Sequence, residues 1–554
     1  MRIPSSMLCT SLLILGTGAA QITPDAGELL FKISGTVVDR DSGRPLDGAT
    51  VAVLAVAAVA ARDNAKLMRT GQDGRFSFES LQPGKYSLTA QRRGYLGQAF
   101  EQHDEYSTAI AVGPKLKSED LVFRLQSEAS ISGTITDEAN EPVRGASVML
   151  FDLAVHNGRM PPVQFGLQQT NDEGAYRFSH VPAGQYMVAV SAQPWYAQNP
   201  PKYVNENREN RFESLENSQE INSASDFDVA YPTTFYQSTT DGNTATPIAL
   251  SPGDNFVCDI GLQPVPAVHL VIPVLDTDQP RRWPNLMLRQ DIFGGVSPNV
   301  HSLNHRGNNS LEITGLAPGH YTLAADVFDG NQSSHSSQEI DVSRDGRIET
   351  KAGSGPGEIT GHINFESGSP VTSQIFVQLM NVKTQWGIGG APVSANGDFK
   401  LEGVAPGLYE ISFANAPGAA ATKIVASGGN VIGHRLEIRD ATPVQLQITV
   451  AQGRSSINGF AMRDKSPQAG VMVLLIPEDA ANNRDLFRRD QSDSDGSFTL
   501  RSILPGKYTL VAIERGWELE WPNPAVLRPY LMKGTAIVIG ANEKYKIDAS
   551  VQPK

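Results

Sequence analysis

Five times in 554 residues the chain spells nearly the same phrase. It runs GQDGRFSFESLQPGKYSL from Gly71 to Leu88 and NDEGAYRFSHVPAGQYMV from Asn171 to Val188. It returns as GNNSLEITGLAPGHYTL (Gly307 to Leu323), SANGDFKLEGVAPGLYEI (Ser394 to Ile411) and DSDGSFTLRSILPGKYTL (Asp493 to Leu510). Gly74, Gly174, Gly397 and Gly496 follow Asp73, Glu173, Asn396 and Asp495, and in the third copy the same spacing falls on Asn309. Glycine takes positive φ without strain and asparagine is the best substitute, so all five positions are expected to be turn-forming. Apolar residues then alternate, as at Phe76 and Phe78 or Phe498 and Leu500, with the two-residue period of a half-buried strand. Pro83-Gly84, Pro406-Gly407 and Pro505-Gly506 predict a second turn of type II, with positive φ at the glycine. A strand opened by Tyr86, Tyr186, Tyr321, Tyr409 or Tyr508 follows.

A second stretch recurs upstream. ISGTVVDRDSGRPLDGATVAVL (Ile33 to Leu54) parallels ISGTITDEANEPVRGASVMLF (Ile131 to Phe151), and further copies begin at Ile359 and Ile457. In the third unit HLVIPVLD, from His269, takes its place. Each unit thus offers six or seven strands in about 100 residues, the pattern of an immunoglobulin-like or prealbumin-like β-sandwich. The predicted fold class is all-β, in tandem sandwich modules. Their expected bounds are 21–127, 128–264, 265–354, 355–452 and 453–554, with a polar insert at about 195–244 in the second. Short joins such as LQSEASISG predict an extended row of modules.

The I-x-G opening, the P-x-x-G-A-x-V of Pro45 to Val51 and Pro142 to Val148, and the D-G-x-F and P-G-x-Y elements together resemble the carboxypeptidase regulatory-like domain. The resemblance implies a transthyretin-like, carbohydrate-binding-like sandwich in tandem copies. It implies no peptidase activity, because that family is a sandwich appended to peptidases and no catalytic domain accompanies it here. Related adhesin repeats carry Lys–Asn isopeptide bonds, but no consistent lysine and asparagine pair recurs in these modules.

Charge and targeting narrow the setting. A formal net charge of −13 without a basic stripe argues against nucleic-acid partners. No apolar run reaches the roughly 18 residues of a membrane-spanning helix. Arg2, the apolar stretch Met7 to Leu15 and the small residues Gly18-Ala19-Ala20 read as a signal peptide over residues 1–20. Export follows, to the periplasm, the cell surface or the medium. Cleavage would remove Cys9 and leave Cys258 alone, so the modules are expected to stand on apolar cores without disulfides. Cys258 alternates with Phe256, Ile260 and Leu262 and reads as a core position.

Motifs of catalysis are missing. There is no HExxH, Gly-x-Ser-x-Gly or GxxxxGK[ST], so no catalytic, cofactor or metal residue is assigned and a non-enzyme is expected. His301 and His305 stand four apart in a Gly/Asn-rich stretch, without a third ligand. The acidic DSDG and NDEG pieces lack the glutamate and spacing of a calcium loop. The insert is rich in Asn, Glu and Ser yet carries Trp195, Tyr196, Tyr203, Tyr231, Phe235 and Tyr236. In the fifth module ERGWELEWPNP, Glu514 to Pro524, follows the tyrosine strand. Trp517 and Trp521 with Glu518 and Glu520 could stack and hydrogen-bond a sugar there, or the indoles could fold back and cap the sandwich. The reading is an exported, non-enzymatic protein that binds polysaccharide or a surface protein through module loops. A plain spacer, or an accessory to or unrecognised peptidase or glycosidase, are the alternatives.

Overall fold

The computed structural model describes residues 30–57, 65–158, 162–199, 203–204, 219–220, 226–273, 285–293, 295–296, 302–306, 310–329, 332–348, 357–366, 375–382, 387–404, 406–416, 418–439 and 442–554. The expected signal-peptide segment, residues 1–20, and Asn309 lie outside them.

One wiring repeats along the chain. In the first sandwich the strand Phe31–Asp39 runs antiparallel to Arg75–Leu81 and parallel to Leu121–Leu125. The same trio forms around Ala129–Thr136, Val268–Pro273, Gly357–Phe365 and Ser455–Arg463. The facing sheet centres on Thr50–Ala55, held between Lys66–Arg69 and Gly84–Gln91. Ser147–Asp152, Phe376–Asn381 and Met472–Pro477 occupy that central place in the second, fourth and fifth sandwiches. The alternating apolar residues of the recurring phrase point between the sheets, as Phe76, Phe78, Tyr86 and Leu88 do in the first core. Each such side chain contributes about 1.5–3 kcal/mol by leaving water. Cys258 is fully buried in the second core.

The architecture is all-β and tandem. The strand phrases locate its elements, and their chemistry explains the repeated residues. Gly35, Gly133 and Gly459 stand in the I-x-G openings. A Cβ there would lie 2.2, 2.0 and 1.8 Å from the carbonyl oxygens of Leu121, Cys258 and Ile547. The parallel last strand crosses too closely for any side chain. At the hairpin turn, Gly74, Gly174, Gly397 and Gly496 have φ of 70, 69, 96 and 79°. Their carbonyls accept from the first-strand amides of Val37, Ile135, Ile363 and Ala461 at 2.8–2.9 Å.

The second turn differs from the type II prediction. Gly84 and Gly506 are nearly extended, with φ of 158°. The left-handed residue sits four positions earlier, at Ser80, His180, Gly315 and Ser502, with φ of 56, 57, 78 and 57°. That residue forms a bulge where the first-strand register shifts. The glycine serves the tyrosine two residues on. The Tyr86, Tyr186, Tyr321 and Tyr508 hydroxyls donate to the carbonyls of Gln82, Pro182, Ala317 and Leu504 at 2.9, 2.9, 2.7 and 3.0 Å. In the later copies the ring doubles back over the glycine: a Cβ added at Gly184, Gly319, Gly407 or Gly506 would meet it at 3.3–3.4 Å, whereas at Gly84 it would meet nothing within 4 Å.

The modules do not form a simple extended row. The fifth sandwich folds back on the first. Its DSDG turn caps the free edge of Ile110–Val112: Ser494 N donates to Ala109 O at 2.9 Å and Ala111 N donates to Ser494 Oγ at 2.8 Å. The expected row failed because joins limit only neighbouring modules, whereas this contact bridges about 380 residues of chain. Fully apolar strands foreshadow such covering. All six residues of Met472–Pro477 are buried, because Trp517 and the helix Pro524–Leu531 cover its outer face.

Candidate functional site

Polar chemistry collects where the first, second and fifth sandwiches meet. The Lys85 ammonium contacts the Asp493 carboxylate and donates to Ser497 Oγ at 2.9 Å. Asp493 also accepts from Ala109 N at 3.0 Å. Gln491 Nε2 donates to Glu101 O at 2.7 Å and Thr108 Oγ1 at 2.8 Å, while its oxygen accepts from His103 Nδ1 at 3.1 Å. That bond fixes the His103 tautomer with its proton on Nδ1. From the second sandwich, His156 lies 2.9 Å from Asp152 and 3.7 Å from Asp104 of the first. Hydrogen bonds to Asp104 and Asp152 keep its imidazole charged, with a pKa pushed up to about 10.

The Trp517 and Trp521 side chains are part of this junction. Trp517 is only 5% exposed. Its ring stacks on His103 at 5.5 Å and 9°, and on Tyr106 at 5.4 Å and 29°. The Arg489 guanidinium lies over Tyr106, Trp517 and Trp521 at 4.6, 5.4 and 4.9 Å. Trp521 packs on Phe487 at 5.4 Å and abuts Gly158, where an added Cβ would meet its Nε1 at 2.6 Å. Glu518 turns instead to Lys554 and to Arg515, 2.7 Å away, and these two bonds lower its pKa. Glu520 accepts from Asn523 Nδ2 at 3.1 Å, beside the cap of the helix. The four residues therefore do not gather into an open sugar platform. The indoles clamp three sandwiches: the buried, stacked Trp517 ring has no free face for a ligand, and the half-buried Trp521 is packed between Phe487 and Arg489.

A second buried titratable cluster lies between the second and third sandwiches. His269 is fully buried, with Nε2 2.9 Å from Asp228 and Nδ1 3.2 Å from Glu312. Both ring nitrogens face carboxylates, Asp228 of the second sandwich and Glu312 of the third, so the ring links the two. Sequence reading missed it because a lone histidine and two scattered acids carry no spacing signal. Burial pushes the Cys258 thiol up to about 11, which makes it unreactive. His305 lies on the strand Ser302–Arg306, and His301 is outside the described residues. Among the described residues no group of three or more His, Cys, Asp or Glu side chains could hold a metal ion. No described helix is long and apolar enough to cross a membrane.

One exposed feature remains. The tyrosine strands Gly84–Gln91, Gly184–Ser191 and Gly506–Ile513 are each followed, four residues on, by an aromatic side chain: Tyr95, Trp195 and Trp517. The Arg92 guanidinium covers Tyr95 at 5.2 Å, and the first sandwich covers Trp517. Trp195 is 79% exposed. The constant spacing of eleven residues from strand glycine to ring was the sequence signal for it.

Comparison with known proteins identifies part of the chain. The family described as carboxypeptidase regulatory-like domain matches residues 32–117 and 130–212. Residues 455–527 match the second beta sandwich domain of BOS complex subunit NOMO1-like proteins. No curated protein matches. Among solved structures, the TIE protein of Bacillus anthracis is 11% identical, with 79% of this chain and 76% of that chain covered and a TM-score of 0.17. GBS52, the minor pilin of Streptococcus agalactiae, is 14% identical over 45% of this chain and 99% of its own, with a TM-score of 0.20. The RrgB pilus protein of Streptococcus pneumoniae is 9% identical over 70% and 90%, with a TM-score of 0.14. Superpositions this poor carry no functional argument.

Proposed function

For a chain that carries two tandem carboxypeptidase regulatory-like domains and a further sandwich-domain match, we propose an exported, non-catalytic scaffold. It binds carbohydrate or protein of the cell envelope through the loops after its tyrosine strands. The observation that carries this reading is the division of labour among those loops. One closes the molecule on itself through Trp517, and the equivalent loop of the second sandwich leaves Trp195 open. The junction pairs Lys85–Asp493 and His156–Asp104 and the His269–Asp228 link are contacts between sandwiches, which supports a scaffold over an enzyme. The fold-back argues against a plain linear spacer, because it shortens the molecule.

The test uses the chain from Gln21 onward, the expected mature start. It is applied to washed envelope fragments of the producing cell and, separately, to panels of peptidase and glycosidase substrates. Retention on the envelope without turnover is expected. Turnover of any substrate class, or no retention, would overturn the proposal.

A further inference from the structure

The loop after the tyrosine strand of the second sandwich is built to hold one aromatic side chain in water. Pro194 O accepts from Ala197 N at 3.1 Å, closing a tight turn around Trp195 and Tyr196. The Tyr196 hydroxyl donates to Glu138, and the Tyr231 hydroxyl donates to the other oxygen of the same carboxylate at 2.9 Å. Gln198 N donates to Phe227 O at 2.8 Å, which ties the turn to the next segment. Trp195 meets Tyr196 edge to face, at 5.7 Å and 89°, and Tyr196 meets Phe227 at 6.3 Å and 71°. Fixing a turn this way costs conformational entropy, and an indole left in water forgoes about 2–3 kcal/mol of burial. The two sister positions recover that energy by stacking, on Arg92 and on His103 with Tyr106.

Resting on the binding function proposed above, we infer that Trp195 is the stacking platform of a carbohydrate site, and that its ligand is a neutral glycan. Four observations select that occupant. The indole is open, and Tyr196 stands at right angles beside it as a wall, so one flat ring fits the corner. A pyranose presents such a ring, with a face of C–H bonds for the indole and hydroxyls for the rim. The same loop carries the exposed Gln193, and Tyr196 is bonded to the exposed Glu138 carboxylate; both groups can bond hydroxyls. Glu138 and the exposed Asp226 beside Phe227 repel an anionic polymer, as does the net charge of −13. Trp195 and the half-exposed Phe227 offer on the order of 300 Å² of aromatic surface, well short of the roughly 800 Å² per partner of a stable protein interface.

Affinity electrophoresis in gels containing hydroxyethylcellulose, arabinoxylan, laminarin or glycol chitin tests the inference, with polygalacturonate as the anionic control. The full chain is expected to be retarded by at least one neutral polymer and not by polygalacturonate. Trp195→Ala should weaken that retention about tenfold or more, and Trp195→Phe should keep part of it. The thermal midpoint should move by less than about 2 °C, because the side chain is exposed. Equal retardation of Trp195→Ala would overturn the site and leave the binding function standing. If no neutral polymer retards the wild-type chain, or if polygalacturonate does so more strongly, the neutral-glycan assignment falls. Envelope retention would then point to a protein or an anionic ligand.

Discussion

Burial tunes single side chains in this protein. Asp490 shows it most clearly. It sits beneath the recurring phrase of the fifth sandwich and accepts from Thr499 N at 2.7 Å and Gln491 N at 2.9 Å. Burial outweighs those bonds and pushes its pKa from 3.8 to about 6. Between those two values the folded chain holds a proton that the unfolded chain has already released. Stability therefore falls as pH rises through that window and levels off above it, by roughly 2–3 kcal/mol in all. Asp39 has the opposite sign. Bonds from Ser42 lower its pKa to about 2, so its contribution is present above pH 3.8 and is lost as pH falls through about 2. The fifth sandwich should thus melt higher at pH 5 than at pH 7.5, followed by calorimetry. Asp490→Asn should flatten that slope. An unchanged slope in the variant would assign the effect to another group.

At the scale of elements, the repeated phrase is a corner in which each repeated residue has one mechanical duty. Gly496 takes the left-handed turn, and Ser502 carries the bulge. Tyr508 ties the incoming strand back to Leu504 through a buried bond of 3.0 Å. Tyr508→Phe keeps the ring in the core and strands a carbonyl. It should cost about 1–2 kcal/mol of the fifth sandwich's stability in urea unfolding. A neutral result would mean that water replaces the hydroxyl. Much of this element was legible in sequence: the strands, the Asp-Gly hairpin and the core face all follow from spacing. The Pro-Gly turn was misread because that dipeptide has two uses. Local preference favours a left-handed glycine, whereas here the glycine is nearly extended and, in every copy but the first, makes room for the tyrosine ring.

Across the whole molecule, the contact between first and fifth sandwiches decides the shape. It combines one buried aromatic clamp with ion pairs and backbone bonds at an otherwise open strand edge. Asp493 uses its side chain across the seam, while its backbone carbonyl accepts from Gly496 N at 2.7 Å in its own turn. Asp493→Lys should therefore leave the turn folded and set a lysine against Lys85. The radius of gyration from small-angle scattering should increase as the fifth sandwich leaves the first. Lys85→Asp added to that variant should partly restore the compact form. An unchanged radius in the single variant would show that Trp517 and its partners hold the closure alone.

Apolar alternation and turn chemistry act within a few residues of chain, and so the amino-acid order by itself determined the strands, the turn glycines and the tandem sandwich class. Which aromatic loop is buried was decided elsewhere. Tyr95, Trp195 and Trp517 occupy one position in three copies of one fold; Tyr95 is covered by Arg92, three residues before it, but nothing in the local sequence separates the open Trp195 from the covered Trp517. The difference arises from partners distant in the chain: His103 and Tyr106 lie about 410 residues before Trp517 and stack against it only once the fifth sandwich has folded back. Burial is a property of what arrives from outside the segment, and only the tertiary structure brings those surfaces together.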